Sequence, residues 1–402
     1  MSEAPAMTRP GAMADAVRGY ARRLHGHIGP GHHVASPLGA WLVLALAASA
    51  DTATDAEART IEAALGLPAG AAGSAARALL DAPPPAVTAA AAAWVGHPPA
   101  RGPAAEWLAQ LPKSVARGPV PTQADADAWA RQHSLGMIDA FPVALGPTVR
   151  AVLCSAVATR ISWSHPFGLV AADVFRSTWR SEVSTVLHSP RDGHHCRIVG
   201  HPTAGELAVH RGFADGLTVT SVIAAPGVAP FVVLDAAHDV AGEALDRRLE
   251  ARSLFDLPLG DGPAWTITET PAGTRAEHLR AALPAWSARS VHDVRAPALG
   301  FGAATAALGR LFDAPQPEAA QAVAARYHRR GFAAAAVTAA VAGASRQRSA
   351  PGLRRDALLR FDRPYAVVAT AVARDSVWHG LPVFSAWVTT PEEPKEDDAA
   401  DE

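Results

Sequence analysis

Leu359-Arg360-Phe361-Asp362-Arg363-Pro364-Tyr365, followed by Val383-Phe384-Ser385-Ala386-Trp387-Val388-Thr389-Thr390-Pro391, is the pair of segments on which the fold of this chain turns. Upstream of it lies a run of different character, Arg329-Arg330-Gly331-Phe332-Ala333-Ala334-Ala335-Ala336-Val337-Thr338-Ala339, in which one glycine precedes a series of small side chains. Alanine favours helix, and an Ala-rich chain yields such runs by composition alone. Read as a strand, the run has another use. Side chains alternate with period two, so Phe332, Ala334, Ala336, Thr338, Ala340 and Ala342 share one face, and all but Phe332 are small. Small side chains enter an already packed sheet with little overpacking strain.

Composition bounds what surrounds these segments. The chain has 402 residues, a length at which a large mixed sheet still forms one unit. Its 49% hydrophobic and 18% charged content supports a sizeable core and is far from that of a disordered chain. Formal net charge is -2, and no long uninterrupted basic run offers a track for a phosphate backbone, so nucleic acid is not an expected partner. The two cysteines, Cys154 and Cys196, form no CxxC pair, which argues against a disulfide framework or a thiolate zinc site. Met13 to Leu24 is Arg-rich and amphipathic rather than an apolar signal core, and Ala40 to Ala50 is about half the ~20 residues of a membrane-spanning helix. A cytoplasmic protein without membrane contact is the expectation.

Along the chain, helices are expected at Ala14 to Leu24, from Ser36-Pro37 to Leu46, at Thr54 to Leu65, at Ala72 to Leu80 and at Gln123 to Ile138. Ser36 suits an N-cap and Pro37 the first helical position, and apolar residues all round that helix place it in the core. Ala86 to Val95 reads as a strand because it lies between breakers, despite its alanines. Ala151 to Ser162, Leu217 to Ala224 and Phe231 to Leu234 are short apolar runs that also read as strands.

Four segments, in the right order and at compatible spacing, resemble serpins, the family of large suicide-type protease inhibitors and their non-inhibitory relatives. The segment opening at Leu359 resembles the family's strand-opening signature, with Tyr365 where Phe is usual, and Val383 to Pro391 resembles its closing strand. Val34-Ala35-Ser36-Pro37-Leu38 resembles the buried-helix start. Leu153-Cys154-Ser155 through Trp163-Ser164-His165-Pro166-Phe167 resembles the strand ending in a Trp and a Pro-Phe pair. The fourth, Arg329 to Ala339, resembles the proximal hinge. The likeness spans residues 14 to 391 and is that of a divergent member of bacterial type. Residues 1 to 13 read as an extension, and 392 to 402 as an acidic solvated tail.

The resemblance implies an α+β fold with a large central mixed sheet, two smaller sheets, surrounding helices and an exposed reactive-centre loop. It also implies a spring mechanism, in which a protease cleaves the loop and the hinge segment, Arg329, Arg330, Gly331, Phe332, Ala333, Ala334, Ala335, Ala336, Val337 and Thr338, enters the sheet. The implied partner is a serine protease met by a monomer, and no cofactor is implied. Counting from the hinge places the scissile bond near Ser345, Arg346 or Arg348, with Arg354 and Arg355 as further basic residues in a loop that runs to about Arg355. Ser36, Ser155, Trp163 and Gln321 occupy the family's shutter and breach positions, Ser155 where Asn is usual and Gln321 where His is usual. Gly39 stands where a second Ser is usual. Arg329 replaces an acidic residue, and Phe332 fills the first inserting position, where inhibitory members carry a small residue. It must therefore be buried or stop insertion. Phe332 and the two arginines favour the alternative of a non-inhibitory binding or scaffold protein.

Rival chemistry is weaker. His188, His194, His195, Cys196 and His201 match no zinc spacing, and His25, His27, His32 and His33 read as residues of a loop between helices. No GxSxG elbow, Walker loop or GxGxxG turn occurs, and Gly300-Phe301-Gly302 lacks its third glycine. Asp235, His238 and Asp239 read as a surface turn without a nucleophile nearby, so enzymatic activity is not expected.

Overall fold

A computed structural model describes residues 11–50, 52–96, 101–246, 251–313, 319–332 and 352–394. Eight α-helices occur among them: α1 (Ala12–Ile28), α2 (Pro37–Ala47), α3 (Asp55–Leu65), α4 (Ala69–Asp81), α5 (Pro103–Gln110), α6 (Gln123–His133), α7 (Pro230–Asp246) and α8 (Phe301–Phe312). One six-stranded sheet runs in the order β1 (His33–Ala35), β19 (Pro382–Val388), β18 (Tyr365–Ala371), β10 (Leu217–Ile223), β9 (Gly205–Ala214), β8 (His194–His201). A second runs β11 (Gly260–Asp261), β12 (Trp265–Ala272), β17 (Gly352–Arg360), β13 (Ala276–Leu283), β7 (Thr185–His188), β6 (Gly168–Ala171). The central layer consists of two ladders. One is β14 (Trp286–Asp293), β15 (Ala320–Tyr327), β16 (Gly331–Phe332), β5 (Ile161–Ser162), and the other is β3 (Val115–Gly118), β2 (Val87–Val95), β4 (Ala151–Thr159).

Local chemistry explains these elements. Ser36 caps α2, accepting from the Gly39 amide at 3.2 Å, and Pro37 takes the first turn, where its missing donor costs nothing. Ten of the eleven residues of α2 are buried, including Trp41, Leu42 and Leu44, so the helix forms the axis of the core. Each buried Leu there contributes about 1.5–3 kcal/mol. Thr54 and Glu57 close α3 with a capping box. Alanine-rich β2 is a strand because it pairs along its whole length with β4, and its small side chains fit a packed layer.

The segment from Leu359 links two sheets. Arg360 and Phe361 donate backbone hydrogen bonds to Ala264 and Ala282, closing β17. Buried Asp362 accepts from the Arg176 amide at 2.8 Å, and Pro364 separates β17 from β18. Phe361 and Tyr365 are fully buried, with ring centroids 5.2 Å apart, so the corner is part of the core.

Several expectations need correction. Phe231 to Leu234 belongs to α7, whose helical stripe of Val233, Leu234, Ala237 and Val240 buries against the sheet; four apolar residues in a row do not separate strand from helix. Asp235, His238 and Asp239 lie on the same helix, and His238 is buried. α6 stops at His133, because Leu135 adopts a left-handed conformation with φ 56°. The solvated tail does not begin at Glu392: Glu392 accepts from the Ser287 hydroxyl at 2.6 Å, and Glu393 accepts from the Ser184 and Thr185 amides.

Candidate functional site

The two central ladders frame a slot. β4 pairs with β2 and β15 pairs with β14, but no ladder joins β4 to β15 among the described residues. Between these inner edges lies a cavity of about 600 Å³, floored by Gly39, Val43, Leu308 and Phe384 and roofed by Trp129 and Phe141. Its lining is largely apolar, yet both walls present unpaired strand edges, which is the hydrogen-bonding environment of a missing strand.

At the mouth of the slot the hinge is already seated. Gly331 pairs with Ser162, and Phe332 pairs with Ile161 on one side and Tyr327 on the other, antiparallel to both. A Cβ at Gly331 would lie 2.2 Å from the Ile161 carbonyl oxygen, so the backbones approach too closely for any other residue. Phe332 is 3% exposed and packs with Trp286, Tyr327 and Phe384 at ring-centroid distances of 6.4, 6.4 and 6.5 Å. Of the two outcomes open to this residue, the structure shows burial.

The residues before the hinge are knitted to the Trp163 segment. The Trp163 amide donates to Arg330 O at 2.9 Å and its indole to His328 O at 3.0 Å. Phe167 and Arg329 exchange two bonds: the Phe167 amide donates to Arg329 O at 2.9 Å, and Arg329 Nε returns one to Phe167 O at 3.1 Å. Arg329 thus holds the base of the hinge through a carbonyl, where an acidic side chain would meet repulsion.

Deeper in the slot, Ser36 and Gln321 bond reciprocally: the Ser36 amide donates to Gln321 Oε1 at 3.1 Å, and Gln321 Nε2 donates to Ser36 O at 2.8 Å. The Ser36 hydroxyl donates to Val383 O at 3.0 Å, and Ser155 donates to Gly39 O at 2.8 Å. A Cβ at Gly39 would stand 3.0 Å from Ser36 Oγ, so this packing leaves little room for a serine. An amide side chain suits the task, since it supplies both a donor and an acceptor.

Ala333, Ala334, Ala335, Ala336, Val337 and Thr338, and the scissile candidates Ser345, Arg346 and Arg348, lie outside the described residues. Arg354 and Arg355 do not belong to the loop. Both sit in β17, where Arg355 pairs with Glu269 at 2.8 Å, donates to Leu254 O and Leu257 O and stacks 4.8 Å from Phe255. The span beyond the hinge is therefore partly strand, which accounts for its length.

Sequence reasoning missed the partners of the histidines. His194 and His195 do point apart, His194 buried and His195 exposed, and His194 Nδ1 meets His210 Nε2 at 2.9 Å beneath Phe167. His25 contacts His33 at 2.8 Å and Ser385 at 2.6 Å, beside buried His238 and His292. Burial holds His194 and His33 down at about 4 and, aided by Arg22 and Arg18, His238 at about 3; it keeps His25 and His210 well below the usual imidazole range. No group of three or more His, Cys, Asp or Glu side chains among the described residues is arranged to hold a metal. Nor is any helix there long and apolar enough to cross a membrane.

No protein-family model and no curated protein sequence matches the chain. Solved structures do. The thermophilic serpin tengpin in its native state superimposes with a TM-score of 0.62 at 14% identity, covering 97% of this chain and 96% of that one. Serpin48, a highly specific serpin of the insect Tenebrio molitor, gives 0.61 at 15% identity over 96% and 100%. Human thyroxine-binding globulin gives 0.60 at 13% identity over 96% and 98%. The protein has the serpin fold, an α+β architecture, and at 12–15% identity to these structures it is a divergent bearer of it.

Proposed function

We propose that the protein inhibits serine proteases by cleavage of the segment after Phe332 and its insertion into the central sheet. The observation that carries this reading is the slot between β4 and β15, with Gly331 and Phe332 seated at its mouth in the register of an incoming strand. Continued downward, that register sets residue 338 opposite Gln321 on β15 and Ser155 on β4. Thr338, the single hydroxyl on the inward face, would arrive at the level of the Ser36–Gln321 pair, while alanines meet the apolar lining. Insertion would satisfy two strand edges at once, and the protease, still acylated, would be carried along and distorted.

A non-inhibitory binding or scaffold protein is the second reading. The burial of Phe332 in an aromatic cluster favours it, because an anchored hinge resists the motion that trapping requires. Incubation with trypsin, subtilisin and elastase, followed by denaturing electrophoresis and mass spectrometry, separates the two. Inhibition predicts a denaturant-resistant complex at the summed mass, with the cut at Ser345, Arg346 or Arg348. Clean cleavage by a protease that stays active, with no rise in thermal stability of the cleaved product, would leave only the second reading.

A further inference from the structure

On the opposite face of β9 from the hinge region, one arginine has no partner. Arg211 is 9% exposed, and among the described residues it donates no hydrogen bond and meets no carboxylate; its Nε is wholly shielded from water. Cross-strand register sets His195 of β8 and Thr220 of β10 directly opposite it, on the same face. Arg197 lies two residues from His195 and so shares that face. Thr220 is fully buried and its hydroxyl is also unpartnered. Phe213 completes the setting, with the Arg211 guanidinium 5.6 Å above its ring and the His195 ring edge-on at 4.7 Å.

A guanidinium withdrawn from water normally brings its counter-ion with it, because an uncompensated buried charge is among the costliest features a fold can carry. Here the charge that acts on it is a second cation: burial first, then Arg197, lowers the Arg211 guanidinium to about 10. The cation–π contact with Phe213 offsets only part of that cost. What the group lacks is an acceptor with several oxygens and negative charge, matched to a planar fork of donors.

We propose that Arg211, with Arg197, His195 and the Thr220 hydroxyl, forms a binding site for a phosphate or sulfate oxyanion. The site is independent of protease inhibition. His210 and Gly212, the flanking residues of β9, face the other way, His210 against His194 and Gly212 beneath Trp163. The anion and the mouth of the slot therefore share one short stretch of backbone.

The test uses the full chain at constant ionic strength in chloride, with about 5 mM inorganic phosphate, inorganic sulfate or sucrose octasulfate as probes, below the range in which such salts stabilise proteins generally. A saturable rise in Tm of about 2 °C is expected, with binding heat measured in parallel. Arg211→Met should abolish both responses while keeping or raising Tm without anion. Arg197→Ala, at an exposed position, should weaken binding severalfold and serves if the first variant fails to fold. A response to the inorganic ions assigns the site to a free anion; a response to the octasulfate alone assigns it to esters on a larger molecule. Equal responses in wild type and both variants, or no response to any probe, would overturn the proposal.

Discussion

Phe332 shows how one side chain can be read in opposite ways from sequence and from structure. Beside a run of alanines it looks like an obstacle, yet in the fold it is enclosed by Trp286, Tyr327 and Phe384, which come from distant parts of the chain. Phe332→Ala is expected to cost about 3–5 kcal/mol, read as a shift in the urea midpoint. A loss below about 1 kcal/mol would mean that the ring is not docked in solution. Gly331 was legible as a glycine ahead of small residues, but the reason for it, the Ile161 carbonyl, is tertiary. The same holds for Ser36 and Gln321: the sequence places them, but only the fold shows that they bond to each other. His210 and His292 were not legible, since each is an isolated histidine whose neighbours lie on other elements, and His238, read with Asp235 and Asp239 as a surface turn, is a buried residue of α7.

Among the elements, the strands that read correctly carried their own local signal. β4 and β10 are β-rich runs, and β2 was betrayed by its flanking breakers rather than by its alanines. α7 was misread because its opening apolar residues mask the helical stripe that follows. β17 was invisible: Gly352 to Arg355 reads as polar loop, and it is a strand because β12 and β13 supply ladders on both sides. The slot between β4 and β15 leads to an expectation of its own. A synthetic peptide of residues 333–342 should anneal there, raise Tm and suppress complex formation with protease, and a version with Val in place of Thr338 should bind more weakly through loss of its hydroxyl at the Gln321 level. Absence of any thermal shift from either peptide would count against an open slot.

For the whole molecule, the buried histidines make stability depend on acid. Their folded pKa values lie below the unfolded value of about 6.5, so the unfolded chain binds more protons and stability falls as pH drops from 6.5 towards 4. Each such group contributes a slope of up to about 1.4 kcal/mol per pH unit. His238→Leu, which removes an imidazole with both nitrogens unpartnered, should leave stability at pH 7.5 equal or higher and flatten the acid limb. Denaturant midpoints that stay constant from pH 7 to 5 in the wild type would refute this.

The placement of β17 matters once the chain is cut. Held antiparallel by β12 and parallel by β13, and followed by β18 and β19 in the other six-stranded sheet, the C-terminal portion is gripped in two sheets at once. A break anywhere between 333 and 351 therefore leaves two polypeptides interlocked as one particle. The same interval is a natural place to divide the gene: two separately expressed pieces, ending before and beginning near Gly352, have the complementary surfaces to find each other and assemble.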